Sequence, residues 1–271
     1  MDTNDLWLLD MSKRLIFSLY TDKVDPHTSA TDQKKQSFAE YKDRIKKVQR
    51  DYANICNADY ILFNSSNTSY IDIQFEKLFK LEEMTEVYDE VLYLDFDVIP
   101  YTNVNFFETF NLDTLCVYSS ATELLKTPGW HPMDPYVKMS CKKAMLLIED
   151  IVGTSEIFNT GVTALNKHSA SLLQFKDRFN EYKENFKLTQ EDNLYPSEMS
   201  SIWQLNNEVY ASYIVEKYNI PTTNIGMPWN FIVDYDMSIP SAGAYFHHCV
   251  NKNFASLPVF RHLHSSKVEQ Y

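Results

Sequence analysis

Asp95 and Asp97 are separated by one residue and follow the apolar run Val91-Leu92-Tyr93-Leu94. Carboxylates at the end of a buried run are costly unless something compensates their charge. On an extended backbone, side chains two apart point the same way, so both acids can address one cation. All-oxygen ligands suit Mg²⁺ or Mn²⁺, ions held by one or two carboxylates together with substrate phosphates. The competing reading, a pair of solvated acids at a strand end, is disfavoured by the apolar run before them.

A phosphate-bearing ligand needs positive charge from somewhere, and glycine loops do not supply it here. The 271 residues contain five glycines, Gly129, Gly153, Gly161, Gly226 and Gly243, all far apart. Gly-rich loops need clustered glycines so that backbone N–H groups can wrap a phosphate, and this chain has no such cluster. A bound divalent metal is the natural substitute. The formal net charge is -12, from 37 acidic and 25 basic side chains. Such a surface repels nucleic-acid backbones and anionic lipid. The four cysteines lack metal-ligand spacing and read as buried or free thiols in a reducing compartment. Met1 to Ser12 carries Asp2, Asp5 and Asp10 in place of a basic region and apolar core, and no apolar run approaches the length of a membrane span. The expectation is a cytoplasmic protein.

The elements that must position the acids follow from periodicity. Leu15 to Tyr20 reads as a buried first strand, and Thr21 to Thr31 as a loop. Phe38, Tyr41, Ile45, Val48, Tyr52 and Ile55 share one helical face, with Lys34, Lys35, Lys42, Lys46 and Lys47 on its solvent side. Tyr60 to Phe63 is a second strand, Asn64 to Ser69 a loop, and Phe75 to Leu81 a helix. Glu90 to Leu94 is the third strand and ends at Asp95. Alternating strands and helices predict an α/β fold with a mostly parallel sheet, whose ligands bind at the carboxyl ends of its strands. Beyond it, Thr114 to Ser119 and Ile157 to Leu165 read as strands, and Ala121 to Met139 as a loop or cover. One helix is expected through Leu172, Phe175, Phe179, Tyr182 and Phe186, another through Ile202, Leu205, Val209, Tyr213 and Ile214. Short strands are expected at Phe231 to Val233 and Ala244 to Phe246.

A D-x-D at the end of the third strand resembles the GT-A glycosyltransferases, particularly the glycogenin and galactosyltransferase-like group. Other segments fall in matching order from about residue 15 to 255. Glu76-Lys77-Leu78 is similar to that group's T-K-L, whose lysine lies near the donor diphosphate. Phe158-Asn159-Thr160-Gly161-Val162 resembles the strand beside the transferred sugar, and Asn207-Glu208 the pair near sugar and acceptor. Met227-Pro228-Trp229-Asn230 is similar to a late W-N. Phe246-His247-His248-Cys249-Val250-Asn251-Lys252 resembles a segment whose histidine is the third metal ligand and whose lysine contacts the diphosphate. Here Val250 replaces a glycine, no proline follows Lys252, and the interval is one residue short. His247 or His248 can therefore fill the ligand position, and His247, directly after the apolar strand, is favoured.

The resemblance implies a GT-A fold: one Rossmann-like, mostly parallel sheet flanked by helices, with a smaller mixed sheet in the C-terminal half. Residues from about 15 to 110 would form the nucleotide-binding half and those from about 111 to 271 the acceptor-side half of one domain. It implies Mn²⁺ or Mg²⁺ on Asp95, Asp97 and His247. The donor would be a nucleotide-diphosphate sugar, UDP being commonest, held by Tyr20, Lys77, Asp95, Gly161 and Lys252. Asn159, Asn207 and Glu208 would serve the reacting sugar and a hydroxyl acceptor, with retention of configuration. Structural readings compete at each position: Glu208 as a solvated helix residue, Asn159 as a turn residue before Gly161, Trp229 as core. Two other functions compete. A haloacid-dehalogenase-like phosphatase also uses D-x-D, but on its first strand and with a later G-D that this chain lacks. A nucleotide-sugar-binding module without turnover is the other.

Overall fold

Alternation along the strands buries both faces of the main sheet. In β1 (Arg14–Tyr20), Leu15, Phe17 and Leu19 enter one core while Ile16 enters another. In β3 (Glu90–Leu94), Val91 and Tyr93 join the first core, Leu92 and Leu94 the second. Strands covered on both faces are the mark of a sheet sandwiched between helices. These elements come from a computed structural model that describes residues 12–21, 31–65, 70–119, 133–191, 206–233, 243–250 and 252–261.

The remaining strands are β2 (Asp59–Asn64), β4 (Val98–Pro100), β5 (Leu115–Ser119), β6 (Phe158–Asn166), β7 (Thr222–Asn224), β8 (Phe231–Ile232) and β9 (Phe246–His248). The helices are α1 (Thr31–Ile55), α2 (Tyr70–Met84), α3 (Phe106–Thr109), α4 (Met133–Leu147), α5 (Lys167–Leu173), α6 (Phe175–Glu191), α7 (Asn207–Lys217) and α8 (Pro258–Arg261). The main sheet runs β2-β1-β3-β6-β5-β7, with β6 antiparallel to both neighbours and every other pair parallel. The chain order reverses between β1 and β3, a switch point at which α/β sheets open a crevice beyond the strand ends. Tyr20 and Asp95 stand on either side of it. A second sheet, β4-β9-β8, pairs β4 antiparallel and β8 parallel to β9. A third buried cluster gathers Tyr41, Ile45, Phe96, Ile99, Phe231 and Phe254.

The expected α/β class and two-sheet architecture are observed, with several corrections. Met133 to Met139, expected within a loop, opens helix α4; Pro135 falls in its first turn, where a missing N–H breaks no helical bond. The single helix expected through Leu172 and Phe186 is two, split at Gln174, whose φ of 47° is left-handed. The last strand lies later than expected, at Phe246–His248. Residues 22–30, 66–69 and 121–132, and Ile202 and Leu205 of the expected helix, lie outside the described residues. Lys47 is exposed, but Lys42 lies over the Tyr20 ring, 3.9 Å from its centroid. All four cysteines are buried free thiols. Among the described residues no helix is long and apolar enough to cross a membrane.

Glu82, near the end of α2, accepts the backbone N–H groups of Phe175 and Lys176, which begin α6 and have no partner within that helix. Burial outweighs these bonds and raises its carboxyl from 4.5 to about 7. The folded chain thus takes up a proton that the unfolded chain releases, so this contribution to stability is full below pH 4.5 and lost as pH rises through 7. Glu82→Gln, which mimics the protonated acid, is expected to gain stability relative to wild type between pH 5 and pH 8. Urea denaturation at the two pH values checks this; equal stability differences at both would refute it.

Candidate functional site

Strand β3 delivers Asp95 to its carboxyl end, where the Asp95 N–H donates to the Gly161 carbonyl of β6 at 2.7 Å. The chain then turns: the Val98 N–H donates to the Asp95 carbonyl at 2.8 Å, closing a four-residue turn over Asp95-Phe96-Asp97-Val98. The extended pair expected from the sequence is therefore corrected. A turn, not the strand pleat, brings the carboxylates to one place. Gln49 of α1 holds the turn from below. Fully buried, it donates to the Asp95 carbonyl at 3.2 Å and the Val98 carbonyl at 2.9 Å, and accepts from Ser18 at 2.9 Å and Tyr60 at 2.8 Å. Sequence reasoning missed it. The available signal was an amide among Ile45, Val48 and Tyr52 on an apolar helix face.

Each carboxylate meets a lysine. Lys77 donates to Asp95 at 3.0 and 3.4 Å, and the Tyr93 hydroxyl donates to the same Asp95 oxygen at 2.6 Å. Burial, then the Asp95 charge, pushes the Tyr93 hydroxyl well above its ordinary value, which keeps it a donor. Asp97 is 5% exposed and accepts from Lys252. Burial alone would raise its carboxyl; the Lys252 ammonium, its hydrogen bond and the neighbouring His248 together outweigh burial and hold it below the usual carboxylate range. Lys252 has a left-handed backbone, φ 61°, pinned by its N–H on the Cys249 carbonyl and by Ser37 on its own carbonyl at 2.6 Å. Such strain persists where surrounding contacts over-determine it.

The third potential ligand is His248. Its Nε2 lies 3.6 Å from Asp97 Oδ2 and 3.8 Å from Asp95 Oδ2, and one ligand atom from each of the three residues lies within 4.8 Å of the others. His247, favoured from the sequence, is not brought to the carboxylates. Alternation along β9 turns it to the other face, between the rings of Tyr101 and Phe231, and its Nε2 is buried without a hydrogen-bond partner. Burial lowers its pKa. The donor set fits a divalent cation: two carboxylates and one imidazole nitrogen converge at separations too long for hydrogen bonds between them.

Behind His248 runs a line of polar side chains. Its Nδ1 is 2.9 Å from Asn230 Oδ1, and Asn230 Nδ2 donates to Asn159 Oδ1 at 2.8 Å. Asn159 Nδ2 donates to Glu208 Oε1 at 2.8 Å, and Lys138 donates to the other Glu208 oxygen at 2.6 Å. Glu208 is therefore not a solvated helix residue; its side chain is 13% exposed. Asn207, beside it, donates to Thr160 at 2.8 Å and ties α7 to β6. Tyr20 packs its ring on Phe96 at 5.1 Å, so the end of β1 touches the acidic turn directly.

No protein-family model and no curated protein matches the sequence. Solved structures do. The galactosyltransferase LgtC in complex with donor and acceptor sugar analogues aligns over 93% of this chain and 95% of its own, with TM-score 0.50 and 11% identity. A glycosyltransferase involved in glycosylation of the major capsid of PBCV-1 aligns over 93% and 99%, with TM-score 0.47 and 15% identity. Mouse xyloside xylosyltransferase 1 aligns over 88% and 98%, at 0.43 and 9%. The chain shares the fold of LgtC, the GT-A type expected from the sequence.

Gly161 lies against the His248 ring. A Cβ there would stand 2.4 Å from His248 Cε1 and 2.8 Å from Nδ1, and the ring is too buried to retreat. Gly161→Ala is expected to cost about 1–3 kcal/mol, as overpacking does, measured by chemical denaturation. Unchanged stability would mean that the ring is free to move.

Proposed function

We propose that this chain is a metal-dependent glycosyltransferase that moves a sugar from a nucleotide diphosphate, UDP in the first instance, to a hydroxyl acceptor with retention. The observation that carries this reading is the convergence of Asp95, Asp97 and His248, flanked by Lys77 and Lys252, at the carboxyl end of β3. The fold shared with a galactosyltransferase supports it. Asp95, Asp97 and His248 would hold Mn²⁺ or Mg²⁺, and the imidazole favours Mn²⁺. Such an ion supplies Lewis-acid stabilisation of a leaving diphosphate.

The chain's own residues divide the remaining work. Lys77 and Lys252 rest on the two carboxylates and balance their charge; with donor and metal present they would add positive charge around the leaving group. Tyr20, beside the turn on the Phe96 ring, would contact the nucleotide. These residues, apart from His248 and Lys252, come from the first 110 positions, the proposed nucleotide-binding half. Asn159 and Gly161 on β6 line the side where the sugar would lie. Asn207 acts through Thr160 as a support, and Glu208 stands on the acceptor side. Both Glu208 oxygens accept hydrogen bonds, from Lys138 and Asn159, so its carboxylate is held in one orientation.

A thermal-shift titration with nucleotide-diphosphate sugars, with and without Mn²⁺, tests the reading. A donor that binds only the folded chain raises its stability as RT ln(1 + [L]/Kd). The expected result is a metal-dependent shift that Asp97→Ala abolishes, with donor turnover falling roughly 1000-fold, as loss of several kcal/mol of charge stabilisation implies. The anomeric configuration of the product, read by NMR, tests retention. No shift with any donor, together with metal-dependent phosphatase activity, would overturn the proposal.

A further inference from the structure

The line from Glu208 to His248 has a direction that its chemistry dictates. The Gly161 backbone N–H lies 3.0 Å from the Asn159 side chain, and a backbone N–H can only donate, so the atom it faces is the amide oxygen. At the other end of the same amide, Glu208, gripped by the Lys138 ammonium, can only accept, so the Asn159 nitrogen must face it. Two independent neighbours thus demand the same Asn159 orientation. Its oxygen then accepts from the Asn230 nitrogen, which leaves the Asn230 oxygen facing His248 Nδ1. Nδ1 must carry the hydrogen. A neutral imidazole has one N–H, so Nε2 is left as a bare lone pair. The gaps of 3.6 and 3.8 Å from Nε2 to the carboxylate oxygens agree, since an Nε2–H would have two acceptors to bond.

We propose that Asn230 and Asn159 are positioning residues that impose the Nδ1–H tautomer on His248 and thereby present Nε2 as a metal ligand. What Nε2 binds rests on the metal reading above; the tautomer does not. Free imidazole in histidine prefers the hydrogen on Nε2, so the chain holds His248 in its minority form. Gly161 takes part twice. Its N–H orients Asn159 while its carbonyl accepts from Asp95, and its lack of a side chain admits the ring. One residue therefore registers Asp95 and His248 against each other. Asn230 is completely buried, which shields its bond to His248 from water that could otherwise replace it. Partners behind a ligating histidine set ring orientation and basicity, and their loss costs about 10–100-fold in metal affinity.

The test reads the tautomer directly by two-bond ¹H–¹⁵N correlation on the metal-free, histidine-labelled protein, above the pH at which its histidines titrate. Wild type is expected to show a pyrrole-like Nδ1 and a pyridine-like Nε2 at His248. Asn230→Leu should populate the Nε2–H form and weaken Mn²⁺ binding, followed by electron paramagnetic resonance, by about 10–100-fold. Asn230→Asp gives up the donation to Asn159 but keeps an acceptor at Nδ1 and should retain the wild-type tautomer, which gives a readout even if the leucine variant folds poorly. An Nε2–H tautomer in wild type, or one unaltered in Asn230→Leu, would overturn the inference. The assigned tautomer without any Mn²⁺ binding would uphold it while removing the metal reading.

Discussion

Two carboxylates withdrawn from water at the end of one strand are the constraint around which this chain is organised. Asp97 is almost wholly buried and Asp95 about a quarter exposed. Removing one partner of such a pair leaves a stranded charge at a cost of about 3–5 kcal/mol. The compensating ammonium of Asp95 comes from α2; that of Asp97 comes from a residue 155 positions away, beyond β9. The charge balance therefore ties the two ends of the chain together. It also explains the small second sheet, whose strand β9 pairs with β4 just beyond the acidic turn and places His248 opposite Val98.

Scarce glycine shapes the rest of the site. Without clustered glycines the backbone cannot wrap a phosphate, and the turn at Asp95 closes with no glycine in it. Side-chain amides take over the task of holding irregular backbone. Gln49 pins the turn, Asn206 caps α7 by accepting from Glu208 and Val209 N–H groups, and Asn159 receives the Gly161 N–H. Fully satisfied amides in a low-dielectric interior make rigid supports. Positive charge that a glycine loop would offer through its N–H groups is concentrated instead in Lys77 and Lys252.

What could be read in advance was whatever periodicity or charge placement records. The strands around Leu15, Tyr60 and Leu92 carry apolar runs, and Asp95 and Asp97 announce themselves as acids where acids are expensive. The helix break at Gln174 left no such trace, because apolar residues continue on both sides of it and no glycine or proline marks it. His247 and His248 differ only in which face of β9 they occupy, and a three-residue strand has too few neighbours to set the parity from sequence. Gln49 and Asn230 act through contacts 46 and 18 residues away. Their type shows that a buried amide needs partners, but not which partners.

The same wiring changes how Glu208 must be interpreted. A general base must be directed at the acceptor hydroxyl, whereas the Glu208 carboxylate is held by Lys138 on one oxygen and by Asn159 on the other. The second bond belongs to the line that ends at His248, so a change at Glu208 reaches the proposed metal site without touching an acceptor. Loss of turnover in a Glu208 variant is consequently not evidence of base catalysis by itself. A missing base leaves metal affinity intact and makes the rate depend on added proton acceptors. A disturbed support lowers metal affinity first, and the Asn159–Gly161 bond sets how far that disturbance travels: Asn159 keeps one of its two orienting partners when Glu208 is removed, whereas His248 loses its Nδ1 acceptor when the line is cut at Asn230.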